Sequence, residues 1–404
     1  MKSGRTVSRR PQQDPAPAPA PAPLAPPAAP SAPSAPAAAL PPVAPSRRGP
    51  QRLYFVNAPV DFALAGGASI VAFLLLRTFH SGERNEWVYG AAAGLSWVVN
   101  WPHFSATSYR LYHDRAHVWQ YPVTALVIPW LVLAAVIGSV FSPLLIAPYF
   151  IKLYLTWSPY HFSGQTLGVT LIYARRAGFA VGKWERLALS TFIFGSFATQ
   201  TARFEVNPAG ASYYGITYPG LGLPAWTVTA LSTTMYVGGA AFLLFALRWC
   251  LRERRWLSPV ILLPAVTQYV WFIPGNGWAS FQEFVPFFHS LQYLLIAWSV
   301  QLKEKMDKDH IAPGASYVAR ESIRWGVLNI VGGAILFFML PRLLSETGVE
   351  LLFATGVVLA GVQLHHFFVD GVIWKLRRTT PTSPLMVNLA DMLGPKPAPQ
   401  GAPA

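Results

Sequence analysis

Cysteine is almost absent from this chain: Cys250 is the only one in 404 residues. That excludes an intramolecular disulfide and any site assembled from several thiolates. Cys250 itself reads as a buried thiol near a helix end. Charge is scarce as well. Asp, Glu, Lys and Arg make up 12% of the residues against 53% hydrophobic ones, and the mean hydropathy is positive. That balance excludes an ordinary soluble protein. The short alternating segments of a membrane β-barrel are missing. So is a cleavable signal peptide, because the first 50 residues are basic and Pro/Ala-rich without a compact apolar core. No internal repeat is strong enough to propose an inverted-repeat transporter.

Long apolar runs are what the chain does have. Tyr121–Val140 and Trp226–Leu247 reach the length of about 20 residues that a hydrocarbon core of roughly 30 Å requires of a helix. Phe62–Leu76 reaches it with its flanks. Ten such segments can be drawn: 58–78, 86–107, 121–140, 143–172, 185–201, 223–248, 257–274, 281–301, 324–342 and 349–374. The expected fold is therefore all-α, a polytopic transmembrane bundle of about ten helices in residues 53–379. Pro143 and Pro148 are placed to bend or shorten helices, and segment 185–201 is barely long enough.

The net charge of +14 does not point to nucleic acid, because Lys and Arg flank the apolar runs instead of clustering on a polar domain. That is the pattern of topology determinants and of contacts with anionic membrane lipids. If the N-terminus is cytoplasmic, the inner loops gather Arg110 and Arg115; Arg175, Arg176, Lys183 and Arg186; Arg248, Arg252, Arg254 and Arg255; and Lys303, Lys305, Lys308, Arg320 and Arg324. Lys375, Arg377, Arg378 and Lys396 follow in the tail. The outer side keeps Arg77, Arg84, Arg203 and Arg342, with Lys152 near the outer end of its segment. Both termini are thus expected in the cytoplasm of a multi-pass inner-membrane protein. Residues 1–52 read as an Ala-Pro-rich cytoplasmic tail, either a stiff spacer or a docking segment for a protein partner that reads proline-rich chain. Residues 380–404 read as a second tail. The loop 202–222 is rich in turn residues and aromatics and is expected to cap the bundle from outside.

Five of the nine histidines lie inside apolar segments: His103, His161, His289, His365 and His366. A titratable ring is costly within a bilayer and usually faces a bundle interior. Imidazole is also a common ligand of transition metals. Under the topology above, the segments carrying His103, His161, His289 and His366 all run from outside to inside. Counting from each to the next inner cation puts the rings roughly 10–20 Å above the inner boundary. Each ring has a polar residue three or four positions away on its own helical face: Asn100 for His103, Gln165 for His161, Gln292 for His289, and Gln363 and Asp370 for His366. A ligand histidine usually needs such a partner for its second ring nitrogen. Such pairs also serve as hydrogen-bonding glue between helices, so both readings stand at this point. The helical wheel favours His366 over its neighbour His365 as the inward-facing ring.

His113 and His117 form His-x-x-x-His at the inner end of the second segment, a spacing found in zinc sites and equally natural in a solvated juxtamembrane loop. His80 and His310 fall in predicted loops and are given no role. Aromatic residues crowd the candidate ligands, as in Trp157-Ser158-Pro159-Tyr160-His161-Phe162 and Phe284-Val285-Pro286-Phe287-Phe288-His289. An apolar pocket for a long hydrophobic substrate accounts for them, as does ordinary helix packing.

The segments Tyr160-His161-Phe162-Ser163-Gly164-Gln165 and Phe288-His289-Ser290-Leu291-Gln292 resemble the His-Phe-Gly and His-Ser motifs of the Brp/Blh family. Members of that family are bacterial membrane enzymes that cleave β-carotene to retinal with histidine-bound iron. The resemblance implies a metal-dependent membrane enzyme. Where the family has a further histidine four residues after the one in His-Ser, this chain has Tyr293. Pro102-His103-Phe104-Ser105 lacks the family's His-Gly…Asp, and His365-His366-Phe367-Phe368-Val369-Asp370-Gly371 has no counterpart in it. Membrane desaturases and hydroxylases look similar in their inner His-x-x-x-His and late His-His, but Val362 stands where their late box needs its first histidine.

The sequence thus leads to a histidine-ligated Fe(2+) oxygenase for a hydrophobic lipid or isoprenoid. His103, His161, His289 and His366 are the expected metal ligands, with His365 as the outlying member. Gln165, Gln292 and Asp370 are expected to orient them. Two other classes stay open: a transporter or proton-coupled carrier using the same His/Asp set as a relay, and a non-catalytic scaffold.

Overall fold

Backbone groups in a long apolar run can be satisfied only by one another, which makes helix the default for each segment. The computed structural model describes residues 53–79, 86–208, 210–374 and 384–394. The Pro/Ala-rich arm, His80, Arg84 and the cations Lys375, Arg377, Arg378 and Lys396 lie outside the described residues. The chain is all-α. The helices are α1 (Ala58–Phe79), α2 (86–112), α3 (Arg115–Gln120), α4 (Val123–Phe141), α5 (Ala147–Arg176), α6 (Lys183–Val206), α7 (Trp226–Glu253), α8 (Pro259–Phe272), α9 (Val285–Lys308), α10 (Ala315–Ser345), α11 (Leu351–Ile373) and α12 (Leu389–Leu393). A two-stranded antiparallel hairpin in the loop after α6 pairs Ser212 with Thr217 and Tyr213 with Ile216.

Among the described residues, five helices are long and apolar enough to cross a membrane: α1, α4, α7, α10 and α11. The other five predicted segments are also helical, as α2, α5, α6, α8 and α9. They differ for a physical reason. α8 has only 14 residues. α5 buries His161, Ser163, Thr166, Thr170 and Arg176, and α9 buries His289, Ser290, Gln292, Ser299 and Gln301. Helices that turn polar groups toward the bundle interior lose mean hydropathy without losing their place in the bundle.

Prolines set the approach to the histidines. Pro102 has no N–H for the preceding turn, and the backbone widens into a π turn at Ser96–Asn100 just before it. α10 closes on this kink through glycine: a Cβ added at Gly333 would stand 2.7 Å from the Trp101 carbonyl carbon and 2.9 Å from the Pro102 nitrogen. Pro159 lies within α5, two residues before His161, and the Ser163 hydroxyl donates to its carbonyl at 2.9 Å. Pro286 opens α9, three residues before His289.

Four helices form a ring. α11 packs against both α2 and α5, and α9 packs against the same two. The C-terminal ends of three of them are tied together. Arg110 of α2 makes a bidentate pair with Glu304 of α9, both bonds at 2.9 Å, and its guanidinium sits 4.7 Å from the Trp374 ring at the end of α11. Lys308 bonds Asp114 at 2.8 Å and draws that carboxyl down to about 2. These ties give α2, α9 and α11 a common direction. His113 and His117 sit at the same end and bond locally. The Nδ1 of His113 lies 3.0 Å from the Tyr109 carbonyl, and that of His117 lies 3.0 Å from the Arg110 carbonyl. They cap the last turn of α2.

The tail assigned to 380–404 needs correcting at 384–394. This stretch folds as a single helical turn and α12, with Leu385 and Met392 buried. Its fastener is Arg176, only 1% exposed, which donates to the carbonyls of Leu53, Tyr54, Leu385 and Val387. Both ends of the bundle therefore meet at the C-terminal end of α5.

Candidate metal centre

The four helices of the ring deliver His103 (α2), His161 (α5), His289 (α9) and His366 (α11) to one level. The ring centroids of His103 and His161 lie 4.5 and 4.7 Å from that of His366, and 5.3 and 5.4 Å from that of His289. All four rings are buried.

The nitrogens converge more tightly than the rings. The Nε2 of His366 lies 2.9 Å from the Nε2 of His103 and 3.1 Å from that of His161. Asp370, one turn further along α11, brings its Oδ2 within 3.4 Å of His366 Nε2 and 3.7 Å of His161 Nε2. One ligand atom from each of these four residues falls within 4.8 Å of all the others. Hydrogen bonding alone does not explain this. An imidazole Nε2 offers either one N–H or one lone pair, yet that of His366 faces two nitrogens and an oxygen. Around a metal with M–N bonds of about 2.1 Å, two nitrogens at right angles stand about 3.0 Å apart, and tetrahedrally placed ones about 3.4 Å. The two separations between His366 and the other imidazole nitrogens match the first case, and its 3.4 Å separation from Asp370 matches the second. Such a His/carboxylate donor set suits iron, and it also suits zinc, copper or nickel.

Asp370 is anchored for this position. Its Oδ1 accepts from Trp374 Nε1 at 3.2 Å and from the Thr107 hydroxyl at 3.2 Å, which leaves Oδ2 toward the histidines. Thr107 in turn lies 2.5 Å from the Tyr293 hydroxyl. Sequence reasoning passed over Thr107 and Trp374, although each carries a readable signal. Thr107 is four residues after His103, and Trp374 four after Asp370, so each lies on the same face as its partner. Removing both anchors in a Thr107→Val, Trp374→Phe variant is expected to weaken metal binding about 10- to 100-fold, the usual effect of losing groups that orient a ligand. Competition with a chelator of known affinity measures it, and an unchanged midpoint would contradict the role.

Other expectations for the site change. Asp370 stands among the candidate ligands instead of orienting a ring. Gln165 donates to the backbone carbonyl of His289 at 2.8 Å, and Gln292 to that of Ala65 at 2.8 Å. The contacts of these two amides are with backbone and tie helices together. Asn100 likewise accepts from Ser290, and Gln363 donates to Tyr154. His365 points away from the cluster, with its Nε2 3.1 Å from the Tyr112 hydroxyl and its ring stacked on Tyr112. His289 belongs to the cluster by position but outside the tight four. It stacks on Phe162 at 3.8 Å, and neither of its ring nitrogens meets a hydrogen-bond partner among the described residues. The Nδ1 atoms of His103 and His366 are in the same condition. A buried polar atom left unpaired costs on the order of 1–3 kcal/mol, so these rings are poor candidates for hydrogen-bonding glue.

A cavity of about 280 Å³ adjoins the cluster, with His161 and Asp370 in its wall and Trp157, Tyr160, Phe367 and Trp374 around them. No protein-family model, curated protein or solved structure matches this chain. The site is therefore read from its own geometry.

Proposed function

We propose that this protein is a multi-pass inner-membrane oxygenase. It binds ferrous iron through His103, His161, His366 and Asp370, with His289 beside them, and oxidises a hydrophobic lipid or isoprenoid. In this reading all ten predicted segments cross the bilayer, α8 together with its flanking residues, and both termini are cytoplasmic. The common direction of α2, α9 and α11, the meeting of both chain ends at Arg176, and the one-sided distribution of Lys and Arg support that topology.

One observation carries the proposal: three imidazole nitrogens and a carboxylate oxygen converge within 4.8 Å beside an apolar cavity. Histidine and carboxylate together, were they to bind iron and leave it positions for exogenous ligands, would make the donor type of non-haem ferrous oxygenases. Iron, when bound, supplies the electron transfer that lets O₂ react with a hydrocarbon. The chain's own residues do the rest. Trp374 and Thr107 hold Asp370 to the metal side, Phe162 and Phe367 fix the His289 and His161 rings by stacking, and the aromatic walls exclude water. Preference for iron over zinc is supported by the resemblance of the His161 and His289 segments to the Brp/Blh family.

Metal analysis of the detergent-purified protein tests the reading. About one equivalent of iron in the wild type, lost in a His161→Ala, His289→Ala double variant, is the expected result. A metal-free protein whose substrate flux follows pH near the ordinary histidine range would overturn it in favour of a carrier.

A further inference from the structure

We propose that the cavity beside His161 and Asp370 is the substrate cleft. Its floor is bare backbone at Gly164, Gly168 and Gly371, and it takes the mid-section of a long, slender hydrocarbon chain entering sideways from the bilayer. This rests on the metal-centre reading above.

Small residues four apart on a membrane helix ordinarily mark where another helix packs closely. Several glycines of this bundle behave that way. A Cβ added at Gly238 would come within 2.7 Å of Thr191, and one at Gly361 within 2.9 Å of Val136. Gly164 and Gly168 on α5 and Gly371 on α11 are different: a Cβ added at any of them would meet no heavy atom within 4 Å. Their smallness serves no contact between helices, although glycine weakens a helix interior. All three line the one cavity that contains the two metal-side residues. Side chains at these positions would project into the cleft and fill it.

Shape and lining define the occupant. Trp157 lies on the same face of α5 as Gly164 and Gly168, Phe367 and Trp374 lie on the same face of α11 as Gly371, and Val169, Ile172 and Ile296 add to the apolar lining. The glycines leave room between these apolar side chains for a slender chain. A volume of about 280 Å³ holds only about nine groups the size of a water molecule, each about 30 Å³. A whole lipid does not fit, but a stretch of about ten chain carbons does. Gly164, Gly371 and Tyr160 are exposed on the outer face of the bundle, so the remainder of the chain can stay in the hydrocarbon core. Among the described residues the cleft lining holds no Lys or Arg to grip a headgroup. Selection is therefore by thickness.

The test uses cis-parinaric acid, a linear conjugated tetraene that fluoresces on entering an apolar site and accepts energy from tryptophan. With full-length protein in detergent, wild type is expected to give saturable tryptophan-sensitised emission. Gly168→Leu should weaken it at least tenfold while iron content stays at the wild-type level. Gly164→Val, nearer the centre, is a second closure of the same slot in case Gly168→Leu fails to fold. Gly90→Leu, at an exposed open position on α2 away from the cavity, should change neither readout. Absence of saturable emission in the wild type, or equal affinity in the wild type and a folded closure variant, would overturn the cleft and leave the metal centre standing. Iron-free wild-type protein that still loses parinarate binding on closure would overturn the metal centre and leave the cleft.

Discussion

Replacing His366 by alanine is expected to strip the metal from this protein, while replacing its sequence neighbour His365 by alanine leaves the metal in place. The two residues differ by about 100° of rotation on α11, and that rotation decides their chemistry. His366 Nε2 stands 2.9 Å from His103 Nε2, 3.1 Å from His161 Nε2 and 3.4 Å from Asp370 Oδ2, so it is the one atom that faces every other candidate ligand. Its loss removes a donor from the middle of the set. Residues that merely orient a ligand change metal affinity by about 10- to 100-fold, and a ligand at the centre of the set should exceed that. His365 bonds Tyr112 at 3.1 Å, outside the cluster. Elemental analysis after equilibration in a metal buffer reads both variants. A full equivalent of metal in His366→Ala, or loss of metal from His365→Ala, would refute the assignment of ligands.

The histidines were legible in the sequence because a polar ring inside an apolar run has few explanations. Their common depth followed from counting residues to the nearest inner cation. Which helices touch was not legible, since the closure of α2, α11, α5 and α9 into a ring depends on packing between segments 124 to 263 positions apart. The polar companions show a different limit. Helical spacing puts Gln165 on the face of His161, but a long flexible amide can turn along its own helix or across to the next one. Here it takes the His289 carbonyl. Gln292 takes the Ala65 carbonyl, beside the kink where Gly66 adopts φ 140°. For Asp370, four positions after His366, spacing did predict the contact along its own helix, while its reach to Thr107 on α2 and His161 on α5 was not legible.

Arginines show the same contrast. Sequence reasoning counted Arg110 and Arg176 as cations of inner loops. Arg110 does sit near the common end of the ring and pairs with Glu304. Arg176 is buried, and its partners are backbone carbonyls from segments more than 120 positions before it and 200 after it. No local pattern announces such partners. Its neighbour Asp61 completes the fastening: this buried carboxylate accepts from the Phe55 and Val56 amides and from the Tyr173 hydroxyl, at 2.6, 2.9 and 2.9 Å. Two buried side chains thus hold two short segments whose Phe55 and Leu385 also enter the main core.

Replacing Arg176 by methionine is accordingly expected to be the most destabilising single change outside the metal centre. Methionine keeps much of the side-chain volume and its apolar stem but removes every donor. The carbonyls of Leu53, Tyr54, Leu385 and Val387 would lose their guanidinium partner inside the fold, and the stacking of that group 4.2 Å from the Phe55 ring would go with it. Breaking a buried hydrogen-bonded charge network costs about 3–5 kcal/mol. Lysine in the same place keeps the charge but offers one compact ammonium where a planar fork spans two chain segments, so it should recover only part of the loss. Thermal unfolding in detergent gives the ranking wild type, Arg176→Lys, Arg176→Met, and limited proteolysis should find residues 384–394 cleaved first in the methionine variant. Metal content measured well below the melting transition should be unchanged, because none of these carbonyls belongs to the centre. Melting that is indifferent to the methionine substitution would mean that other contacts fasten the two ends, and that Arg176 is buried without holding them.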